Sequence, residues 1–249
     1  MADKIGMDAA KEVVAIRERW HTMKHPFFQQ MKDGKLPLRA LGVYMAQHFR
    51  FVEMAQPSFG FLLWRAPADI RRSLVENLAE EEGLQAIPVP GHVPHDHNKM
   101  IFDFCKAVGI PEAEARAIPI TPAWWARRLH YAHVMREEPL GAVLAMQSTQ
   151  EGQQVRLNLE ITLPAFEKYY GYKRDAEEIA FFAEHAEADR EHSERQLALC
   201  AKYIDTPEVA KRAFQVSEEA CRLRWASITE VYRTEVLGEK EIMPPGIAA

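Results

Sequence analysis

The chain has 249 residues, 47% of them apolar, and a net charge of −5. That is enough apolar material to bury a large core as one domain or two small ones, and the acidic balance leaves no basic stripe for phosphates, which excludes nucleic acid as a partner. Cys105, Cys200 and Cys221 are odd in number and form no CxxC pair, so neither a disulfide framework nor a zinc ribbon is indicated.

The N-terminus lacks the apolar run of a secretion signal, and no later segment is long enough to span a bilayer, so a cytoplasmic protein without a membrane partner is expected. From residue 8 the chain shows helix after helix. Val13, Ile16, Trp20, Met23 and Phe27 recur at helical steps over 8–32, with Pro26 as a kink or boundary. Pro37 opens a helix carrying Leu38, Leu41, Tyr44, His48 and Phe51; Pro57 is expected to break it, with Phe59 to Trp64 continuing as an apolar half-helix. Further helices are predicted over 68–84, over 97–109, and from Pro122 through Met135. A long one runs from Pro139 to about Leu163, and two more cover 176–203 and 207–236. Residues 87–95 form a loop rich in proline and histidine. No alternating β-pattern competes. The expectation is a single all-α domain over 1–240, a bundle of about seven to nine helices, followed by a loose tail over 241–249.

One helical face carries chemistry. His185, Asp189 and His192 are spaced by four and three residues, which places them within an arc of roughly 60°. Ile179, Phe182, Leu199 and Tyr203 extend the same stripe, interrupted by Gln196. Imidazole and carboxylate converging on a buried stripe suit a first-row transition metal, because buried charge is costly unless paired or metal-bound. Bundles build such sites from several helices. Of the acids Glu80, Glu81 and Glu82, Glu81 continues the stripe of Leu74 and Leu78, while counting from Val75 favours Glu82. Glu151 interrupts a face of Leu144, Ser148 and Val155, beside Gly152, which admits close approach of another group. His97, unlike the loop residues His92 and His95, opens a helix and points inward from a fixed position. The set is Glu81, His97, Glu151, His185, Asp189 and His192, an inventory for two iron or manganese ions; a structural zinc would leave two of these groups unexplained.

With these residues in place, the chain resembles the heme-oxygenase-like di-iron oxidases and oxygenases, within the wider group that includes TenA-type thiaminases and PqqC. The likeness runs through residues 24–27 (Lys24-His25-Pro26-Phe27), 33–36, 76–83, His97 ahead of 104–110, Glu151, and 182–192. It implies a heme-oxygenase-like bundle, the same six ligands by match to the family pattern, two ions (Fe/Fe or Fe/Mn), and dioxygen as co-substrate. The overall likeness is to the CADD-type branch, which makes para-aminobenzoate from tyrosine. There the chain departs: Phe28 stands where that branch has a tyrosine, and Ile161 falls near the position of its lysine. A TenA thiaminase would need a cysteine on the long helix, where residues 147–150 have none, and a PqqC-like oxidase would not need six metal-type ligands.

The resemblance implies an iron-dependent oxidase or oxygenase acting on a small, amino-acid-derived metabolite. Alternatives are a CADD-like para-aminobenzoate-forming oxygenase, a PqqC-like oxidase, and a non-catalytic small-molecule-binding or regulatory relative. Glu81 and Glu151 are expected to serve catalysis as shifting carboxylates, with His48 as acid or base. Tyr44, Phe61, Trp64 and Gln147 are the expected substrate-lining groups, while a surface role is expected for Arg50. An external electron donor and a homodimer are compatible with this reading.

Overall fold

The structure, a computed structural model, describes residues 2–84 and 96–240, with the side chains of 2–3 and 187–192 outside the description. His92, His95 and the 241–249 tail therefore fall outside the described residues. The helices in chain order are α1 (Ala2–Arg19), α2 (Pro26–Lys32), α3 (Leu38–Arg65), α4 (Ala68–Glu81), α5 (His97–Ala107), α6 (Glu112–Ala117), α7 (Pro122–Glu137), α8 (Leu140–Leu157), α9 (Leu163–Tyr169), α10 (Ala180–Tyr203) and α11 (Pro207–Val231). No strand occurs among the described residues, only an isolated bridge between Glu82 and Asp96. The all-α expectation holds. The helices outnumber the expected seven to nine because the short pieces α2, α6 and α9 stand as separate helices.

Proline explains the boundaries that differ from expectation. Pro26 is a true boundary: it occupies the first turn of α2, where its missing N–H costs nothing. The His25 Nδ1 accepts from the Phe27 N–H at 3.1 Å, and its Nε2 donates to the Thr229 hydroxyl at 2.9 Å. The histidine ahead of Pro26 is thus a helix cap tied to α11. Pro57 does not break α3, which runs unbroken for 28 residues. Both Pro57 and Glu53, whose carbonyl loses its partner, lie on the exposed face, so water can replace the missing bond. Beyond α8, Pro164 withholds the N–H that would continue the ladder. Residues 158–162 widen into a π-turn, with the Leu163 N–H reaching the Asn158 carbonyl, before α9 resumes.

The long helix α8 is buried on almost every side from Gly141 to Gln150 and packs most extensively on α10 and α11. It forms the axis of the bundle, and α3 closes the opposite wall against α7. Gly6 of α1 lies so close to α10 that a Cβ there would meet the Ala201 backbone, which fixes α10 from outside. No described helix is long and apolar enough to cross a membrane.

Candidate metal centre and its cavity

Three acids at the end of α4 oppose the helix dipole, so local stability does not account for them. Gly83, with φ +68°, ends the helix, and the Leu84 N–H turns back to the Ala79 carbonyl at 2.7 Å. The Glu82–Asp96 bridge then fastens this end to the start of α5. Asp96 caps α5 by accepting from the Lys99 N–H at 3.0 Å, which fixes His97 in the first turn. Glu81 and His97 meet as a result, Oε2 to Nδ1 at 2.9 Å. Gln56 of α3 donates to the same Glu81 oxygen at 3.3 Å. Glu82 is exposed, so of the two adjacent acids only Glu81 faces inward.

The third partner comes from α10. His185 donates its Nδ1–H to the Phe181 carbonyl at 2.7 Å, which leaves Nε2 as the lone-pair nitrogen. Its ring lies 4.0 Å from that of Phe181 and 4.5 Å from that of His97, centroid to centroid. Glu81, His97 and His185 each offer a ligand atom within 4.8 Å of the others. One carboxylate and two imidazoles without thiolate form a donor set for iron or manganese.

Burial works against the charge on Glu81, but the His97 ring beside it prevails and brings the carboxyl down to about 2. Burial likewise opposes a charged His97, and the Glu81 carboxylate outweighs it and raises the imidazole above its ordinary 6.5. The lowered Glu81 value means stability present above the ordinary 4.5 and lost as pH falls toward about 2. The raised His97 value means stability present below 6.5 and lost as pH rises through its folded value. Metal-free protein is therefore expected to draw most stability from this pair between those two ordinary values, with decline on either side. Iron must displace the His97 proton, so its binding is expected to tighten as pH rises through that range. Thermal melts across pH, with chelator and with ferrous iron, check this; iron binding that weakens with rising pH would contradict it.

These three groups line one cavity of about 100 Å³ with Glu151, His48, Phe51, Tyr131 and Phe181. Glu151 accepts from the Gln196 amide at 2.6 Å, which accounts for the polar interruption on the α10 stripe. Gly152 receives no ligand; the Arg17 guanidinium occupies the space beside it. Asp189 and His192 lie on α10 past His185, with side chains outside the described residues. His48 is held neutral, its pKa driven well below 6.5 by burial first and then by the Arg127 charge.

The expected substrate wall is corrected. Trp64 is 90% exposed and Phe61 44%, so both stand on the outward face of α3, while Phe59 of the inner face lines the cavity. Tyr44 and Gln147 are buried but outside the lining, and Tyr44 stacks on the lining residue His48. Arg50 pairs with Glu53 at 3.1 Å, the surface role expected of it. The lining groups that sequence reasoning passed over are Arg127, Tyr131, Gln150, Gln154 and Arg224. A signal existed for both arginines. Arg127 falls between Trp124 and Tyr131, and Arg224 between Ala220 and Ile228, on stripes that are otherwise apolar or small.

A family model described as iron-containing redox enzyme matches residues 43–225. The chain belongs to that family. It is 26% identical to the 4-aminobenzoate synthase of Nitrosomonas europaea over 236 residues, covering 89% of this chain and 90% of that one. The 4-aminobenzoate synthase of Chlamydia muridarum is 24% identical, with 79% of each chain covered. Among solved structures, a heme oxygenase-like domain from Shewanella denitrificans aligns with a TM-score of 0.74 at 15% identity, covering 92% of both chains. A TenA homolog from Pseudomonas syringae aligns at 0.69 and 13% identity, covering 90% of this chain and 93% of that one. The heme-oxygenase-like fold is thereby established.

Proposed function

We propose that the protein is an iron-dependent oxidase or oxygenase that uses dioxygen at a dinuclear site to oxidise a small, amino-acid-derived metabolite. The observation that carries this reading is the convergence of Glu81, His97 and His185 on a cavity that Glu151 also lines. Glu81, His97, Glu151 and His185, with Asp189 and His192 of α10, would hold two ions. When bound, iron supplies electrons to dioxygen, chemistry no side chain offers. The chain supports the rest. The rings of Phe51, Tyr131 and Phe181 limit water in the cavity, and neutral His48 offers an imidazole that can position a substrate by a hydrogen bond. The Phe181 carbonyl and Gln196 amide orient His185 and Glu151 before any metal arrives.

A second reading, 4-aminobenzoate synthesis, is favoured by the names of the relatives. It is weakened by positions 28 and 161. Phe28 and Ile161 are each 1% exposed and lie among core residues, away from the cavity lining. Anaerobic reconstitution with ferrous iron, followed by metal analysis and exposure to oxygen, tests the main proposal. The expected result is near two irons per chain and an absorbance change on oxygen addition. Protein that binds no iron, with an unaltered spectrum, would make it a binding protein instead.

A further inference from the structure

The same cavity holds two cations that the metal centre does not explain. Arg127 of α7 is 5% exposed and Arg224 of α11 is 3% exposed. Neither forms an ion pair with any described residue. The Arg127 guanidinium lies over the rings of Phe51 and Trp124, 4.2 and 4.9 Å from their centroids. Its Nη2 makes a long contact of 3.4 Å with the Gln150 side-chain oxygen, and its Nε and Nη1 are buried with no partner among the described residues. Arg224 donates to the Gln150 carbonyl at 2.6 Å and to the Gln154 side chain, while its Nε is likewise unpartnered. Three buried guanidinium nitrogens of this pair thus have no hydrogen-bond partner among the described residues.

Placing two like charges side by side in buried positions, neither within ion-pair distance of a described carboxylate, is unfavourable for the protein alone. Burial and then the neighbouring Arg224 charge bring Arg127 down to about 9, so it stays protonated at neutral pH. An unpaired buried charge costs stability that a well-packed apolar side chain would not. Their position relative to the metal ligands is set by rings in contact. Arg127 rests on Phe51 and Trp124, both rings pack against His48, and His48 packs against Phe181, which stacks on His185. Arg127 is thus linked to the metal ligand His185 through His48, and both arginines line the same cavity as the metal ligands.

We propose that Arg127 and Arg224 form a carboxylate-binding subsite that anchors the substrate by its acid group and presents the rest of the molecule past His48 to the metal centre. This deepens the proposed function and rests on it for the word substrate. The planar guanidinium matches a carboxylate with paired hydrogen bonds, and the flat face of Arg127 is already held by stacking. The substrate class is a small carboxylic acid with an apolar or aromatic body, suited to the walls formed by Phe51, Tyr131 and Phe181. The carboxylate also replaces the missing counter-charge, so it stabilises the fold as it binds.

The test uses full-length, metal-free protein, with benzoate as the probe and benzamide as its neutral counterpart. Benzoate is expected to raise the melting temperature and benzamide to leave it unchanged. Arg127→Met is expected to weaken the benzoate response roughly 10- to 100-fold, the loss of one charge-assisted contact, and to melt at or above the wild type without ligand. Arg127→Lys, which keeps the charge and loses the planar fork, should also bind benzoate more weakly, and it serves if the methionine variant does not fold. Iron content of the variants is measured alongside, because neither touches Glu81, His97 or His185. Lost benzoate binding with retained iron supports the subsite. Equal responses to benzoate and benzamide, no response to benzoate, or full benzoate binding by both variants would overturn it and leave the iron chemistry standing. A protein that binds benzoate through Arg127 yet takes up no iron would keep the subsite and overturn the proposed function.

Discussion

His185→Ala is expected to abolish iron retention while leaving the fold intact. The imidazole is oriented by the Phe181 carbonyl, and its Nε2 faces the Glu81–His97 pair. Orienting partners alone are worth tenfold or more in metal affinity, so loss of a ligand itself should weaken iron binding by at least about 100-fold. The helix does not depend on the ring. Phe181 and Phe182 anchor α10 in the core, alanine is the better helix former, and Glu81 keeps His97 as its partner. Glu81→Ala should lose iron as completely, with a further effect on the metal-free protein. It leaves His97 buried without its carboxylate, so that imidazole should fall from its raised value and become neutral near pH 7. Metal analysis after anaerobic reconstitution, beside a far-ultraviolet melt, reads both. Full iron content in either variant would show that these residues do not form the centre.

Iron-loaded protein given oxygen and a reductant, but no added substrate, is expected to release no 4-aminobenzoate and to keep its own mass. A chain that sacrifices its own tyrosine needs a phenol in the cavity and a nitrogen donor beside it. Phe28 has no hydroxyl, and it packs against Phe27 and Tyr44 in the core. Tyr131 is the phenol among the described lining residues. Burial and then the Glu151 charge hold its pKa well above the usual 10, so it stays protonated. No lysine occurs among the described lining residues, and Ile161 is apolar and buried. Mass spectrometry of the protein and of the small-molecule fraction after a single turnover decides the matter. Stoichiometric 4-aminobenzoate, lost on Tyr131→Phe, would place the chain with the synthases it resembles in sequence.

How much of the site was legible follows from the range of the signal. The inward position of His185 on α10 was visible because helical periodicity is local: residues four and three apart share a face whatever the rest of the chain does. Glu81 was visible for the same reason, although its neighbour Glu82 fits an alternative count. The choice between them came from the Gly83 turn and the Glu82–Asp96 bridge, which join α4 to α5. Phe61 and Trp64 are apolar, yet they stand on the outward face of α3, while Phe59, Leu62 and Ala66 beside them are buried. On α7 apolar residues stand on more than one face, so the stripe of Trp124 and Tyr131 competes with another that carries Trp125, which is 46% exposed while Trp124 is fully buried.

The sequence by itself determined the all-α class and the inward faces of the helices bearing Glu81, Glu151 and His185. Each is a matter of spacing within one helix, and an apolar stripe must be buried somewhere. The tertiary structure alone decided which polar groups share a cavity. Arg127 and Arg224 lie 97 positions apart in sequence, and an arginine on a helix is ordinarily solvated. They meet because α7 and α11 pack directly against each other beside α8, where both guanidiniums reach Gln150.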